Sequence, residues 1–218
     1  MKFTFFRFKN FKGIVDEKLD LSKNPESNIF TLVGLNESGK TTILEAINFF
    51  KYKSESLDVL ELKEYEVKDI HSLIPINKRD NFNGTISIEA GIELDEDDVI
   101  NIKNEFRKKE IVISTIDKKI TYTQKYHFEN SKHNISKDQF LWNHNIVGRA
   151  KSARKDKKLT NPDALIANNY IVKYIPSILY FPNFLFDFPE KIYLNEDIED
   201  EKHLFYQKRH SRHLRLIE

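Results

Sequence analysis

The sequence predicts a mixed α/β fold in which a strand, a glycine-rich loop and a helix follow one another, with antiparallel strands on either side. Residues 28–33 form a short apolar run of the length expected for a buried strand, and the glycine-rich residues 34–42 follow it directly. Apolar residues then recur at helical spacing between Ile43 and Phe50. The antiparallel part is indicated by residues 85–94, in which apolar and polar side chains alternate.

Two strands are expected before this unit. Residues 2–8 alternate as a strand does, and residues 14–21 are a second candidate, with Gly13 near the turn that connects them. After the loop helix, residues 56–74 are expected to be helical and then irregular toward Pro75.

A second helix and a hairpin are expected after the alternating strand. The acidic residues 95–98 supply a cap and favourable charge for a helix N-terminus, and the basic residues 107–109 suit its C-terminus. Residues 111–116 and 120–128 are expected to be the two strands of a hairpin that turns at residues 117–119.

The rest of the chain is expected to return to the core after an excursion. Residues 129–160 are polar and lysine-rich and are interpreted as a mobile basic insertion. Pro162 begins the next expected helix, and residues 177–181 are expected to be a last buried strand. We therefore expect a single lobe over residues 1–218, made of four segments: a core segment at 1–55, an antiparallel β-subdomain with one helix at 80–128, the insertion at 129–160, and a return to the core with a charged tail at 161–218.

Composition narrows the class of protein. A chain of 218 residues with 39% hydrophobic residues, 17 Phe and 9 Tyr is long and apolar enough for a packed core. The net charge of +1 argues neither for nor against nucleic acid, and the absence of cysteine excludes disulfides and thiolate chemistry. The N-terminus carries charge too early for a signal peptide, and no apolar run approaches the roughly 18 residues that span a membrane. We expect a cytoplasmic protein with no membrane segment.

The glycine-rich loop carries the chemistry. Residues 34–42 match the phosphate-binding pattern G-x-x-x-x-G-K-[ST], known as Walker A, and have the expected strand before them and helix after them. Gly34 and Gly39 let successive backbone N–H groups face one anion at a helix N-terminus. Lys40 can bring positive charge to the β- and γ-phosphates, and the Thr41 hydroxyl can ligate Mg²⁺. The pattern therefore predicts a site for a nucleoside triphosphate with Mg²⁺.

Two stretches carry a family resemblance. Residues 8–13 contain an Asn-Phe pair, and residues 32–47 combine the loop, with Asn at its third position, with a Leu-Glu-Ala-Ile helix. Together they resemble the opening of the ABC-type ATPases that act on DNA, which include the SMC, RecF and OLD-like proteins. Residues 79–84 with the following strand look most like the OLD-like and related bacterial AAA-type ATPases, some of which serve in phage defence. The specificity of these motifs is high over residues 8–47, modest over residues 70–95 and 171–194, and negligible elsewhere.

The resemblance implies a P-loop NTPase fold, an ABC-ATPase-like N-terminal lobe with an added antiparallel β-subdomain, that binds ATP with Mg²⁺. Carried over by position, the residues that wrap the phosphates are Gly34, Asn36, Glu37, Ser38, Gly39, Lys40, Thr41 and Thr42, of which Thr41 is the Mg²⁺ ligand. Lys12 matches a basic position that reaches toward the nucleotide in related repair ATPases, although a lysine after a strand end is more often a solvated surface residue.

The resemblance also implies partners. In the family, two lobes sandwich ATP and the signature segment of one completes the site of the other. The implied partners are therefore a second copy of the chain, or a chain that supplies the C-terminal ATPase half, together with DNA.

Two motifs of the family are missing from this sequence. We find neither the signature segment nor a Walker B strand that ends in Asp-Glu, whose Glu activates water. In the nearest candidate, residues 184–188, Phe188 stands where that Glu is expected, and no glutamine can be assigned to the Q-loop among Gln124, Gln139 and Gln207. We therefore expect the N-terminal part of such an ATPase, which binds nucleotide weakly and hydrolyses it poorly by itself. A split gene product and a genuinely small nucleotide-binding protein are the alternatives.

Three weaker patterns are also present. Residues 77–80 match the guanine-specificity motif Asn-Lys-x-Asp without the strand and switch that accompany it, and we interpret the match as chance. His210 and His213 share one helical face but have no partner acid or thiol, so no metal site is predicted there. A basic stretch fits either the phosphates of DNA or a solvated loop; its members are Arg149, Lys151, Arg154, Lys155, Lys157 and Lys158.

The sequence leaves three functions open. The first is ATP binding, as part of a DNA-associated ATPase of the repair, OLD-like or phage-defence kind. The second is a non-hydrolysing, nucleotide-regulated interaction module that assembles with a partner chain. The third, a small-molecule or nucleoside kinase, is disfavoured because it needs a basic lid and an acceptor-binding acid close after the loop helix.

Overall fold

The computed structural model describes residues 1–23, 29–50, 70–160 and 163–178, all of which belong to one compact unit. In chain order the described elements are β1 (Lys2–Phe11), β2 (Ile14–Asp20), α1 (Lys40–Phe49), β3 (Gly84–Glu93), α2 (Glu96–Lys108), β4 (Ile111–Ile116), β5 (Lys119–Glu129), β6 (Lys132–His133), β7 (Gln139–Asn143), β8 (Ile146–Ala150), β9 (Lys157–Lys158) and α3 (Leu165–Tyr174). Short 3-10 helices cover Ile70–Leu73, Ile76–Lys78 and Ile135–Lys137.

Six of these strands form one antiparallel sheet in the order β2-β1-β3-β5-β6, with β7 also paired to β5. The connection between β1 and β2 is a tight turn at Lys12 and Gly13, as expected, and its left-handed backbone lies at Asn10 and Lys12. Since β3 pairs with both β1 and β5, strands β1 and β2 of the expected segment 1–55 share one sheet with strands β3 and β5 of the expected segment 80–128.

Helix α1 is anchored to this sheet through aromatic rings at its C-terminal end. The Phe50 ring, which is buried, meets Phe6 edge-on with centroids 5.5 Å apart and Tyr122 at 5.7 Å. Phe49 lies 5.1 Å from Tyr126 and 6.1 Å from Phe11 in the same way. Because these rings fix one end of the helix on the sheet, they also fix where its N-terminus, and the loop that precedes it, begins.

A second, three-stranded sheet has the order β4-β8-β9, and α2 packs beside it. Asp95 caps α2: its carboxylate accepts a hydrogen bond from the Asp98 N–H, and the Asp98 carboxylate accepts one from the Asp95 N–H. Hydrogen bonds from the N-terminal ammonium of Met1 and from the Asp98 N–H lower the pKa of Asp95 to about 2.

The predicted hairpin between β4 and β5 is wrong, because the two strands lie in different sheets. Strand β5 pairs with β3 along its length, from Glu93↔Lys119 to Gly84↔Phe128, and its other edge is taken by β6 and β7. Both edges of β5 are thus occupied, and β4 pairs with β8.

Two further expectations differ from the structure. Within the described residues, 29–33 form no strand, because an apolar run becomes a strand only where a neighbouring strand offers backbone partners. Residues 129–160, interpreted as a mobile basic insertion, contain strands β6, β7, β8 and β9. The helix expected near Pro162 begins at Leu165. The expected helix over 56–69 and the end of the strand over 177–181 fall outside the described residues.

Candidate functional site

The glycine-rich loop ends at the first residue of α1. Gly39 caps the helix with a left-handed backbone of φ 87° and ψ 6°, and Glu37, two residues earlier, is also left-handed at φ 64°. The Ser38 N–H donates to the Leu35 carbonyl at 3.3 Å, which closes the loop into a turn. A left-handed φ at Gly39 favours glycine over any residue with a Cβ. The loop therefore turns sharply into the helix, as a backbone nest for an anion requires.

The ammonium of Lys40 folds back over this loop. Its Nζ donates to the carbonyls of Gly34 at 2.9 Å and Leu35 at 2.5 Å, and lies 3.3 Å from the Ser38 hydroxyl. The charge is therefore held over the residues that precede the helix, at the end of α1 where the helix dipole is positive. Both contributions attract an anion to the same place.

The first turn of α1 fits a phosphate group with Mg²⁺. Thr41 is exposed and Thr42 is half-buried, no acidic residue lies in this turn, and no side chain caps the helix. An exposed hydroxyl suits Mg²⁺, which prefers oxygen ligands. The uncapped N–H groups suit phosphate oxygens.

Lys12 lies beside α1 rather than among the loop contacts just described. Its ammonium forms an ion pair with the Glu45 carboxylate at 2.7 Å, and its backbone N–H donates to the Leu73 carbonyl at 2.7 Å. Lys12 also lines a surface groove of about 260 Å³ with residues that include Asn10 and Asn77. The structure thus places Lys12 against the loop helix, and the proposed reach toward nucleotide stays a prediction. Sequence reasoning missed Glu45, because no pattern marks an ion pair between residues so far apart in the chain.

Several exposed apolar residues lie in the loop and on either side of it. Ile29 is 82% exposed, Val33 is 89% exposed and Leu35 is 85% exposed, and Leu44 on α1 is also exposed. Exposed apolar groups that cluster near one another on a surface are typical of interaction sites. The loop is therefore bordered by a surface suited to contact with another molecule.

Strongly shifted pKa values in the described part of the chain lie away from the loop. Burial, with a smaller contribution from Asp138, raises the pKa of Tyr126 to about 12. A hydrogen bond from Arg7, assisted by Lys9, lowers the pKa of Asp16 to about 2. The described residues contain no cluster of three or more His, Asp or Glu that could hold a metal ion. Among the same residues, no helix has the length and apolarity to cross a membrane.

The sequence matches the AAA ATPase domain family over residues 1–216. The chain belongs to this family. The predicted α/β fold is thereby confirmed, and membership of the family supports ATP binding by this chain. The assignment of that binding to residues 34–42 stays a prediction. The narrower OLD-like assignment stays a prediction.

Other comparisons are more distant. No curated protein sequence matches this AAA ATPase domain. Among solved structures, one chain comes from work on the structural biochemistry of ATP-driven dimerization and DNA-stimulated activation of SMC ATPases. The two chains are 14% identical, the alignment covers 79% of each, and the TM-score is 0.41. A likeness at this level carries no argument about what the AAA ATPase domain does.

Proposed function

We propose that this AAA ATPase domain binds Mg·ATP through residues 34–42, as the nucleotide-binding part of a DNA-associated ATPase. We further propose that a second copy or a partner chain completes the site. The observation that carries the proposal is the position of Lys40, whose Nζ lies 2.9 Å from the Gly34 carbonyl at the N-terminus of α1. Phosphate oxygens placed in this loop meet the lysine charge and the helix N–H groups together.

Each loop residue has a distinct part in the proposed site. Gly39 lets the backbone turn so that the N–H groups of α1 face the phosphates, and Lys40 exchanges its loop carbonyls for the β- and γ-phosphate oxygens. Thr41 offers its hydroxyl to the metal. Mg²⁺ held there would neutralise part of the charge of the phosphate groups. The loop thus binds the triphosphate end of ATP, and no base-specific contact is needed for that step.

Hydrolysis is proposed to need a further chain. The described carboxylates nearest to Lys40 in sequence are Glu37, in the loop itself, and Glu45, which is held by Lys12. Because Glu45 is already paired with Lys12 and Glu37 is an exposed residue of the loop, we assign neither as the base that activates water. The exposed apolar residues Val33, which precedes the loop, and Leu35, which lies in it, supply a surface on which a completing partner can pack.

Calorimetric titration of Mg·ATP into the full chain tests the nucleotide site. Lys40→Ala removes a charge-assisted contact worth about 1.5–3 kcal/mol, so we expect affinity to fall by about 10- to 100-fold. The matched control is Lys23→Ala, an exposed lysine outside the loop, for which affinity is expected to stay within about twofold. Equal affinity in the wild type and Lys40→Ala contradicts the proposal.

A second titration tests the metal ligand. Thr41→Ala is expected to abolish the dependence of ATP affinity on Mg²⁺, because the hydroxyl that would ligate the metal is removed. Thr42→Ala, its neighbour in the same helical turn, is the matched control and is expected to keep that dependence. The assignment of Thr41 as the metal ligand is overturned if Thr42→Ala, and not Thr41→Ala, abolishes the dependence of ATP affinity on Mg²⁺.

The second candidate function is a nucleotide-regulated interaction module without turnover, and the exposed apolar border of the loop favours it. Sedimentation velocity with and without Mg·ATP distinguishes the candidates when combined with a phosphate-release assay. The interaction module is indicated if the protein associates in the presence of nucleotide without turnover, and if Val33→Ser weakens that association whereas Ile135→Ser does not. Turnover that rises when DNA is added indicates the ATPase. Ile135 is a suitable control because it too is an exposed apolar residue.

A further inference from the structure

Two basic segments that are far apart in sequence meet at one end of the small sheet. Strand β4 starts directly after residues 107–110, and its antiparallel partner β8 ends directly before Lys151, in the register Ile111↔Ala150. The Lys151 N–H donates to the Glu110 carbonyl at 2.7 Å, which holds the two segments side by side. We name this region the basic end of the small sheet; its members are Arg107, Lys108, Lys109, Lys151, Arg154 and Lys155.

Charge is strongly segregated at this end. All six members are exposed. Residues 105–110 and 149–158 together contain nine lysines and arginines but only three carboxylates, although the whole chain carries a net charge of only +1. Two of the carboxylates are engaged in exposed pairs, Glu105 with Lys108 at 2.6 Å and Asp156 with Arg149 at 2.8 Å. Among the described residues, the positive charge at the basic end is therefore largely uncompensated.

The cations sit on an ordered support. The Ala153 N–H donates to the Ala150 carbonyl at 2.9 Å, so the chain turns directly after β8, and β9 then pairs with β8 at Val147↔Lys158 and Gly148↔Lys157. The Arg149–Asp156 pair spans the same connection. A ligand that binds here has to order few residues, which lowers the entropic cost of binding.

The chemistry of this surface fits the phosphates of a nucleic-acid duplex. Protein interfaces are depleted in lysine at their centre, and membrane-surface binding needs apolar side chains that insert into the lipid. Single-stranded nucleic acid is held by stacking on aromatic rings, but residues 149–158 contain no aromatic residue and Phe106 is buried. Clustered lysines and arginines without apolar or aromatic neighbours are what neutralises a duplex backbone.

We infer that the basic end of the small sheet binds duplex DNA through its phosphate backbone, without reading its sequence. This inference deepens the DNA-associated part of the proposed function and rests on it. It places the DNA contact on a surface separate from residues 34–42, and it joins the basic stretch seen in the sequence to a second segment, residues 107–109, that sequence reasoning assigned only to the end of a helix.

Fluorescence anisotropy with a labelled duplex of about 20 base pairs tests the inference on the full chain. The variant Lys151→Glu/Arg154→Glu/Lys155→Glu is compared with Lys23→Glu/Lys119→Glu/Lys132→Glu, which changes net charge equally at exposed lysines outside the basic end. We expect the first variant to lose about tenfold or more in affinity, and its slope of log affinity against log salt to fall in magnitude by about three. The second variant is expected to lose less than about threefold with little change in slope.

Several outcomes overturn the inference. Equal losses in the two triple variants indicate a global charge effect, and a wild-type salt slope near zero indicates that no phosphates are neutralised. Binding to vesicles containing phosphatidylserine, with no binding to the duplex, indicates a membrane surface instead. The milder variant Lys151→Gln/Arg154→Gln/Lys155→Gln repeats the test with no new charge, and its unchanged DNA affinity also contradicts the inference.

The same samples separate this inference from the nucleotide site. Lys40→Ala is expected to lose Mg·ATP binding and to keep the DNA affinity of the wild type, whereas the triple variant at the basic end shows the reverse. If the wild type binds only one of the two ligands, Mg·ATP or duplex DNA, the proposal for the other ligand has failed.

Discussion

Strand β3 and the loop at residues 34–42 belong to the same compact unit but lie at opposite extremes of burial. On β3, Ile86, Ile88 and Ala90 are fully buried, whereas Leu35 in the loop is almost fully exposed. Residues of the sheet thus carry the free energy of folding, and residues of the loop are exposed to make contacts with a ligand. The comparison teaches that stability and binding depend on different side chains and can be changed separately.

Helix α1 connects the two regions. Its C-terminal end is held by Phe50 against Phe6 and Tyr122, and its N-terminal end presents Lys40 over the loop. The helix is only ten residues long, so the core and the candidate site are separated by about 15 Å of rigid backbone. A change at the sheet is therefore expected to alter how much protein is folded and to leave the chemistry of the loop intact.

The largest difference in the free energy of unfolding is expected between two Phe→Ala variants, one in the core and one beside the loop. Phe8 is fully buried and stacks on Phe6, so Phe8→Ala is expected to lower the free energy of unfolding by about 3–5 kcal/mol. Phe30 is 42% exposed, and Phe30→Ala is expected to cost about 1 kcal/mol or less. Urea unfolding followed by circular dichroism measures both. Similar losses in the two variants contradict the separation of the core from the loop region.

A smaller difference in stability is expected between two Gly→Ala variants. A Cβ at Gly91 would lie 2.3 Å from ring carbons of Phe5 and 2.6 Å from the Thr4 hydroxyl, so Gly91→Ala is expected to cost about 1–3 kcal/mol. A Cβ at Gly13 meets no atom within 4 Å, and Gly13→Ala is expected to be neutral or slightly stabilising. Both are measured by urea unfolding. A larger loss for Gly13→Ala would show that the sheet is less tightly packed at β3 than at its edge.

The smallest effect is expected at the exposed hairpin of β1 and β2. Arg7 donates two hydrogen bonds of 2.8 Å to Asp16, and they lower the pKa of Asp16 from 3.8 to about 2. Because the pKa is lower in the folded state, the stabilisation is complete above about pH 4 and is lost as the pH falls toward about 2. Asp16→Asn is therefore expected to unfold at slightly lower urea than the wild type at pH 6 and at the same urea near pH 2.

A double-mutant cycle with Arg7→Gln checks the cause of this pH dependence. If the Arg7–Asp16 ion pair is responsible, Asp16→Asn has a much smaller further effect in the Arg7→Gln background at pH 6, where Lys9, 3.2 Å from the Asp16 carboxylate, still pairs with it. If the wild type is more stable than Asp16→Asn by the same amount at pH 2 as at pH 6, the difference in stability does not come from the ion pair.

The sequence predicted those elements whose pattern is local. Residues 85–94 alternate strictly and form β3 almost to the residue, and the acidic run at 95–98 contains the capping box that starts α2. The loop was found for the same reason, since its glycines, lysine and threonine are contiguous. Such features depend on neighbours within one turn or one strand, which a sequence displays directly.

Features that depend on distant pairing were not predictable. Nothing near residues 111–116 indicates that their partner is β8 rather than β5, because the choice depends on β3 and β7 already occupying β5. The burial of an apolar run depends likewise on what packs against it, so residues 29–33 were expected inside and lie outside. The Lys12–Glu45 pair joins residues 33 positions apart, and no short motif marks it.

The central claim is that the loop binds nucleotide while the sheet supplies stability. The effect of nucleotide binding on the free energy of unfolding tests this claim most directly. The measurement is the free energy of urea unfolding of the wild type and Lys40→Ala, each with and without Mg·ATP. At about 100 times the dissociation constant, the nucleotide is expected to stabilise the wild type by about 2.7 kcal/mol. Lys40→Ala is expected to match the wild type without nucleotide and to gain much less from the same concentration. Equal stabilisation of both proteins by Mg·ATP would contradict the account, because the nucleotide would then bind somewhere other than this loop.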